Sequence, residues 1–411
     1  MNALHVWMHG RRVATVNESR RRMTLTYVEG AAQLGVPLVS VAMPMSSITY
    51  SDKVVRPFFH GLLPEGEARQ IISYDFGLAA NDDFSLLAQL GRDCAGALVV
   101  LPTGQIPGDE TQEQLIETLD EPEIGRRLRA LPAHPLGVTS VIRASLPGVQ
   151  PKLLLARHNG MWYSPDSLHP STHILKPAIV ELERSVANEA FCMTLASNAG
   201  LTAAATSVAD FDGVSVLISE RYDRRRNADG TTLRLHQEDT CQALSIMTRV
   251  AREKYEAFGG PSLRAIAKLL TQWGGSITDL LRHVTFSVLT GNADLHGKNL
   301  SLVHVGDGRV ALAPIYDVMC TTYYDGQQGR RAVDTELGLF IADKTDILTV
   351  TIDDLVAEAH TWGLRPAAAR DIAASLATDV AAAIDRSVDQ LGLNVPAELV
   401  ERVRDRATHF A

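Results

Sequence analysis

"GNADLHGKNLSLVHVGDGRVALAPIYD", Gly291 to Asp317, places a crowded polar loop ahead of a short hairpin and ends on a carboxylate. The loop follows an apolar run of helical period, "SITDLLRHVTFSVLTGN" (Ser276–Asn292), and brings Asp294, His296, Lys298 and Asn299 close together. Three uses suit such a loop. It could bind a metal for hydrolysis, supply the groups of a phosphoryl transfer, or only turn the chain between helix and strand. Hydrolytic metal sites need further His or carboxylate ligands at helical or strand-end spacing. Neither H-x-H nor H-E-x-x-H occurs in the chain.

Phosphoryl transfer fits the spacing better. Asp294 and Asn299 are five apart (299 − 294 = 5). The strands around Gly306-Asp307-Gly308 form a hairpin, and Asp317 sits just past the second one. Such a reaction needs one carboxylate to accept or orient the acceptor hydroxyl. It also needs an amide oxygen and a second carboxylate for Mg²⁺, a hard cation that prefers oxygen ligands. Upstream, Lys176 lies in the strand "THILKP" and Glu189 on the helix that follows. A strand lysine paired with a helix glutamate is the nucleotide-gripping arrangement of protein kinases. "SLPGVQPK" (Ser145–Lys152) stands where a cover loop over the phosphates belongs, with the single glycine Gly148. "SERYD" (Ser219–Asp223) ends the last strand before a helical region, where an adenine-binding hinge would sit.

The rest of the chain supplies the frame. At 411 residues, two or three domains or lobes are expected. The net charge of −9 argues against a chain whose main task is coating nucleic acid. "SRRRM" (Ser19–Met23) and "RYDRRR" (Arg221–Arg226) are the dense basic runs, each read as a solvated or ion-paired turn. Cys94, Cys192, Cys241 and Cys320 are scattered, which fits a reducing compartment. With no signal-like start and no apolar run long enough for a membrane helix, a cytoplasmic protein is expected.

The first third alternates like strands: "ALHVWMH" and "RVATVNE" around Gly10-Arg11, then "MTLTYVE" and "PLVSVAMP", and later "GALVVLPTG". Within it, "RPFFHGLLPEGEARQIISYDFGL" predicts a helix broken near Pro64 and resumed from Glu65. "DDFSLLAQLG" predicts a helix capped by Asp82 or Asp83. The Gly/Pro-rich stretch 104–112 marks a boundary, and "TQEQLIETLDE" after it predicts a helix. "KLLLARHNG", "MWYSP" and "THILKP" read as strands. "ERSVANEAFCMTLASNAGL" reads as a helix stopped at Gly200, and a hairpin around Asp212-Gly213 follows. After about residue 225 helical patterns dominate: "QEDTCQALSIM", opened by a capping cluster at His236–Asp239, then "PSLRAIAKLLTQWG", "TIDDLVAEAHTWGL" and an Ala-rich run from Arg365. The expected fold class is α+β. It combines a two-lobed, protein-kinase-like body with a β-rich N-terminal subdomain (1–105), a kinase N-lobe (106–222) and a mostly helical C-lobe (223–411).

Taken together, these segments resemble the HipA family of bacterial serine/threonine toxin kinases. The resemblance covers nearly the whole chain. It rests on "GLLPEGEAR", "SLPGVQPKLLL", "THILKP", "SVANEAFCMTLA", "SERYDRR", "HQEDTCQAL", "GNADLHGKN" and "LAPIYD", in that order. It implies Asp294 as the catalytic residue, with Asn299 and Asp317 as Mg²⁺ ligands. Lys176 grips the ATP phosphates. Pro147, Gly148, Val149, Gln150 and Lys152 belong to the phosphate loop, and Glu220, Arg221 and Tyr222 to the hinge. His296, Gly297, Lys298 and Tyr316 line the nucleotide site beside Asn299 and Asp317. Ser145 takes the place of a regulatory autophosphorylated serine, although Pro147 and Pro151 depart from the commoner loop. "GLLPEGEAR" is read as packing. The resemblance further implies a helix-turn-helix antitoxin of the HipB kind, contact with DNA only through it, and an aminoacyl-tRNA synthetase as protein substrate. A silent kinase-fold scaffold or corepressor, and a phosphoinositide-type kinase, are the alternatives.

Overall fold

Strand Asn2–Met8 buries Leu4, Val6 and Met8 and leaves the residues between them partly exposed, the two-residue period of a half-covered sheet. It turns at His9-Gly10, with φ of 48° and 73°. Two left-handed residues make the turn whose twist matches antiparallel strands, which sets it one residue earlier than Gly10-Arg11. In the computed structural model, which describes residues 2–45, 48–108, 118–138, 144–165, 169–227, 231–326, 335–392 and 394–411, this hairpin joins a five-stranded antiparallel sheet. The strand order is Thr49–Tyr50, Arg22–Tyr27, Arg11–Ser19, Asn2–Met8, Leu98–Pro102. Its buried face packs on Phe58, Phe59, Leu62 and Leu63, and on Leu86, Leu87 and Leu90 of the helix Asp83–Leu90. Asp82 caps that helix through the amide of Ser85. The helix expected to break near Pro64 does so: Asp52–Gly61 ends and Gly66–Asp75 begins.

"PLVSVAMP" forms no strand, against expectation. Its polar backbone is satisfied by side chains. Val39 N donates to the Tyr27 hydroxyl at 3.1 Å, which itself donates to Met43 O at 2.6 Å. Val41 N donates to the Glu238 carboxylate at 2.8 Å, and Ser40 Oγ donates to its other oxygen. With these partners the segment needs no neighbouring strand. "QEDTCQALSIM" also departs from its reading. Gln237–Asp239 is a strand and the helix spans only Thr240–Ala243. Asp239 and Gln242 form the capping box, so the cap was legible. Ser245 then turns left-handed (φ 55°), and Ile246 N reaches back to Cys241 O, which closes the helix after one turn. Residues 111–117 of "TQEQLIETLDE" lie outside the described residues. Thr118–Leu119 pairs as a strand with Met161–Tyr163, and the helix begins at Glu121, capped by Asp120.

The chain divides into two compact units. The first comprises Met1–Pro177, Asp210–Glu253 and Val303–Gly308, and so takes in both the N-terminal sheet and a second one. Within this unit the second sheet runs Val214–Glu220, His173–Pro177, Leu153–His158, Met161–Tyr163, Thr118–Leu119. The other unit, Ala178–Ala209, Lys254–Leu302 and Arg309–Ala411, is mostly helical. Its centre is the 26-residue helix Pro366–Leu391, which packs on helices Ser185–Asn198, Ile277–Thr290, Ile352–Thr361 and Ala397–Phe410. The buried stripe Ala369, Ala373, Ala377 and Ala383 gives four neighbours close access to one backbone. Among the described residues no helix is long and apolar enough to cross a membrane.

His283, on the helix Ile277–Thr290, is buried and finds no hydrogen-bond partner for either ring nitrogen among the described residues. Burial lowers its pKa to about 4. The folded value lies below the unfolded one of about 6.5, so the unfolded chain binds more protons between them. Stability therefore falls as pH drops from about 6.5 toward 4, by about 1.4 kcal/mol per pH unit for this one group. His283→Leu should flatten that part of the urea-midpoint-versus-pH curve. An unchanged acid slope in the variant would refute the assignment.

Candidate active site

The helix Ile277–Thr290 ends because Gly291 turns left-handed, with φ 68°, while Asn292 N reaches back to Ser287 O at 2.8 Å. A Cβ on Gly291 would overlap Thr322 Oγ1, so the turn requires glycine. The loop that follows is pinned on two sides. Thr321 Oγ1 donates to Gly291 O at 3.1 Å and accepts from Ala293 N at 2.9 Å. Gly338 N, from the strand Glu336–Ile341, donates to Ala293 O at 2.9 Å. A Cβ on Gly338 would strike Leu295 O, so this close approach also depends on glycine.

Pinning buries Ala293 and Leu295 and turns Asp294 outward, exposed. Its Oδ1 accepts a hydrogen bond from the Tyr255 hydroxyl at 2.5 Å. Asn299 closes the loop from below: its Nδ2 donates to Asp294 O at 3.0 Å and its N to His296 O at 2.9 Å. With Nδ2 on that carbonyl, Oδ1 is the atom Asn299 offers a cation. Tyr316 ties the far strand to the loop, donating to Lys298 O at 2.7 Å, with Ser301 Oγ also 2.7 Å from its hydroxyl. Asp317 follows, exposed and left-handed (φ 59°), a conformation Asp tolerates better than most residues. The oxygen donors of Asn299 and Asp317 are the type Mg²⁺ takes. Among the described residues no group of three or more His, Cys, Asp or Glu is gathered as a metal site, so nothing adds to the hydrolytic reading of His296. Three residues past Asp317, Cys320 is clamped at both backbone atoms by Asn188. Cys320 N donates to its Oδ1 at 2.8 Å, and its Nδ2 donates to Cys320 O at 3.0 Å. Asn188 and the buried Glu189 share the helix Ser185–Asn198.

The other expected residues lie in the first unit, on and around its second sheet. Lys176 sits on the strand His173–Pro177, opposite Leu217, and its side chain is largely buried. Lys152 precedes the adjacent strand Leu153–His158, and its Nζ donates to Pro147 O at 3.1 Å. Gly148, with φ 116°, stands between them in a region that favours glycine, and a Cβ there would overlap Lys152 Nζ. Gln150 Nε2 reaches Pro177 O at 3.5 Å, and Val149 is exposed. Ser145 is completely buried. Its Oγ donates to Leu62 O at 2.6 Å and its N to Asp93 O at 3.0 Å. Leu62 belongs to "GLLPEGEAR", which therefore holds the start of the expected cover loop as well as packing.

At the expected hinge, Glu220 pairs with His173, and Arg221 N donates to Thr172 O at 2.9 Å. Tyr222 donates its hydroxyl to Gln237 Oε1. The Arg221 side chain points into a buried charge cluster and leaves only main-chain atoms for a ligand. It bonds Asp223, Ser171 Oγ and Cys94 O, while Arg224 bonds Asp93 and Cys94 O. Burial would raise the Asp93 carboxyl, but Arg221, Arg224 and Arg234 outweigh it and hold it well below the ordinary range. Burial and the neighbouring Arg221 bring Arg224 down to about 10. "RYDRRR" is thus ion-paired at Arg221 and Arg224, and exposed at Arg225 and Arg226. The sequence reading missed Tyr255, Asn188 and Thr321. Asn188 stood inside a quoted motif, whereas Tyr255 and Thr321 carried no spacing signal.

Comparison with known proteins bears on the family and the fold. A family model described as HipA-like C-terminal domain matches residues 144–384, and one described as HipA N-terminal domain matches residues 4–101. A protein named putative kinase Y4mE, from Sinorhizobium fredii, is 37% identical over 335 residues, covering 79% of this chain and 78% of its own. The serine/threonine-protein kinase toxin HipA of Shewanella oneidensis is 27% identical over 383 residues, covering 90% and 84%. The solved structure of the Shewanella oneidensis HipA, in complex with HipB and operator DNA, superposes with a TM-score of 0.83 at 24% identity. That match covers 99% of this chain and 95% of that one, so the fold is shared. With the C-terminal family model alone spanning more than half of its length, the chain belongs to the HipA family of serine/threonine-protein kinase toxins.

Proposed function

We propose that the chain transfers the γ-phosphoryl group of ATP to a serine or threonine hydroxyl of a protein, with Mg²⁺. The observation that carries this is the outward-facing Asp294 on a loop fixed at Gly291, Ala293 and Asn299. Asp294 accepts the acceptor's proton as its oxygen attacks the γ-phosphorus; the bond to the β–γ bridging oxygen breaks and ADP leaves. Asn299 and Asp317 would hold Mg²⁺, which would offset charge on the phosphate oxygens. Lys176 and Lys152 supply positive charge for the phosphates, with Pro147–Gln150 as their cover. Glu220 and Tyr222, and the main chain of Arg221, bind the base. His296, Gly297, Lys298 and Tyr316 line the nucleotide side.

Ser145 is the self-inactivating site in this reading. Its hydroxyl is a donor to a carbonyl in a fully buried position. A phosphoserine carries about −1.5 to −2 charge, and its dianion has no donor, so it would be repelled from that carbonyl and hold the loop open. Complex formation of the Shewanella relative with HipB supports a helix-turn-helix antitoxin as partner, through which the pair would meet DNA. An acceptor among translation components, such as an aminoacyl-tRNA synthetase, rests on the family resemblance.

Incubation with Mg²⁺ and γ-labelled ATP should label serine or threonine, and mass spectrometry should find phospho-Ser145 in protein made from the unaltered gene. No transfer to the chain itself or to any lysate protein would leave the scaffold reading standing. Transfer with Ser145 unmodified would remove the off-switch alone.

A further inference from the structure

Three consecutive residues, Lys254, Tyr255 and Glu256, each hold a different part of the Asp294 loop and its support. Lys254 O accepts from Gly297 N at 3.1 Å. The Tyr255 hydroxyl donates to Asp294 Oδ1 at 2.5 Å, and its ring meets the His296 ring edge-on, centroids 5.1 Å apart at 85°. Glu256 Oε2 accepts from Phe340 N at 2.8 Å, on the strand whose Gly338 N fixes Ala293 O. Lys254 Nζ lies 5.5 Å from the centroid of the Tyr255 ring, and Gly259 (φ 96°) closes the short turn behind.

This strip does what the loop's own bonds do not. Those bonds fix the backbone of Asp294 but leave an exposed carboxylate able to rotate. A phenol hydroxyl on Oδ1 is a charge-assisted bond that stops the rotation and assigns Oδ2 to the acceptor. Pre-set orientation of a reacting group is worth a large share of a rate enhancement. We propose that Tyr255 is a positioning residue for the phosphoryl transfer, acting through Asp294. This rests on the reading of Asp294 as the base.

The test uses the full chain with Mg²⁺ and γ-labelled ATP, scoring initial label transfer to the chain itself at saturating ATP. Tyr255→Phe keeps the ring and loses the donor. Its transfer rate should fall roughly tenfold, as expected for one lost bond to a charged group. The dissociation constant for a fluorescent ATP analogue and the melting temperature should stay at wild-type values, which a merely structural role would not combine with a slowed step. In the Asp294→Asn background, adding Tyr255→Phe should cost nothing further. A Tyr255→Phe rate at or above wild type, with Asp294→Asn inert, would overturn the positioning role and leave the base in place. A wild-type rate in Asp294→Asn would overturn both readings, as would a wild-type chain that labels neither itself nor any lysate protein.

Discussion

Asp294→Ala should cut label transfer from Mg²⁺-bound ATP by about 10²- to 10⁴-fold, the usual contribution of a general base. It should do so in a chain that melts where the wild type does. The side chain is exposed and buries nothing, so its loss leaves no cavity. The loop's shape is carried by other atoms: Thr321 Oγ1 on Gly291 and Ala293, Gly338 on Ala293, and Asn299 on the Asp294 carbonyl, which alanine retains. Among the described residues, the one bond lost is that from Tyr255. Nucleotide affinity should hold, because the expected phosphate contacts come from Lys152, Lys176 and the cover loop. Asp317→Ala should behave differently: as a cation ligand, its loss should weaken nucleotide binding with Mg²⁺ and much less without it. Transfer in Asp294→Ala at the wild-type rate would remove Asp294 from the mechanism.

Local spacing made the loop and its hairpin readable. Asp294, Asn299 and Asp317 are set by one loop and one hairpin, and the hairpin turn at Asp307-Gly308, both left-handed, is written in its residues. The long helix Pro366–Leu391 announces itself by 3.6-residue periodicity, whereas Ser185–Asn198 is buried without a break from Asn188 to Ala196 and is marked instead by its length and by Gly200 beyond its end. Misreadings came where a distant side chain replaced a local partner. "PLVSVAMP" has the composition of a strand, but Tyr27 and Glu238, the latter 197 positions from Val41, take its backbone bonds. Tyr255 escaped notice for the same reason, since its partner Asp294 lies 39 positions on. Asn188 and Cys320 are 132 apart, and no period links an amide side chain to a peptide that far away. Ser145 was legible as a loop serine, but its burial depends on the carbonyl of Leu62, 83 positions back.

Asp93→Ala should produce the largest loss of stability, on the order of 3–5 kcal/mol, the cost of removing one partner from a buried ion cluster. Asp93 Oδ1 takes Arg224 at 2.9 Å and Arg234 at 3.3 Å; Oδ2 takes Ser171 N at 2.9 Å and Ser171 Oγ, with Arg221 at 3.8 Å. Without it, Asp223 alone faces the guanidinia of Arg221 and Arg224, which have almost no water contact. Arg224, already lowered to about 10 by burial and by Arg221, has no cheap way to shed its charge at neutral pH. The pH dependence follows from the depressed carboxyl. The stabilisation is complete above the unfolded value of about 3.9 and fades as pH falls through the lower folded one, so at pH 7 the whole loss should be visible. Asp93→Asn should recover only part of it, since the amide restores hydrogen-bond acceptance but not the charge. Urea unfolding followed by tryptophan fluorescence would measure both variants, and an Asp93→Ala midpoint equal to the wild type would refute the account. The loss should also reach function. Ser171 and Arg221 are held by this cluster, and Arg221 N is tied to Thr172 O at the hinge. Any Asp93→Ala protein that still folds should therefore bind nucleotide more weakly while keeping Asp294 intact, the reverse of the Asp294→Ala pattern.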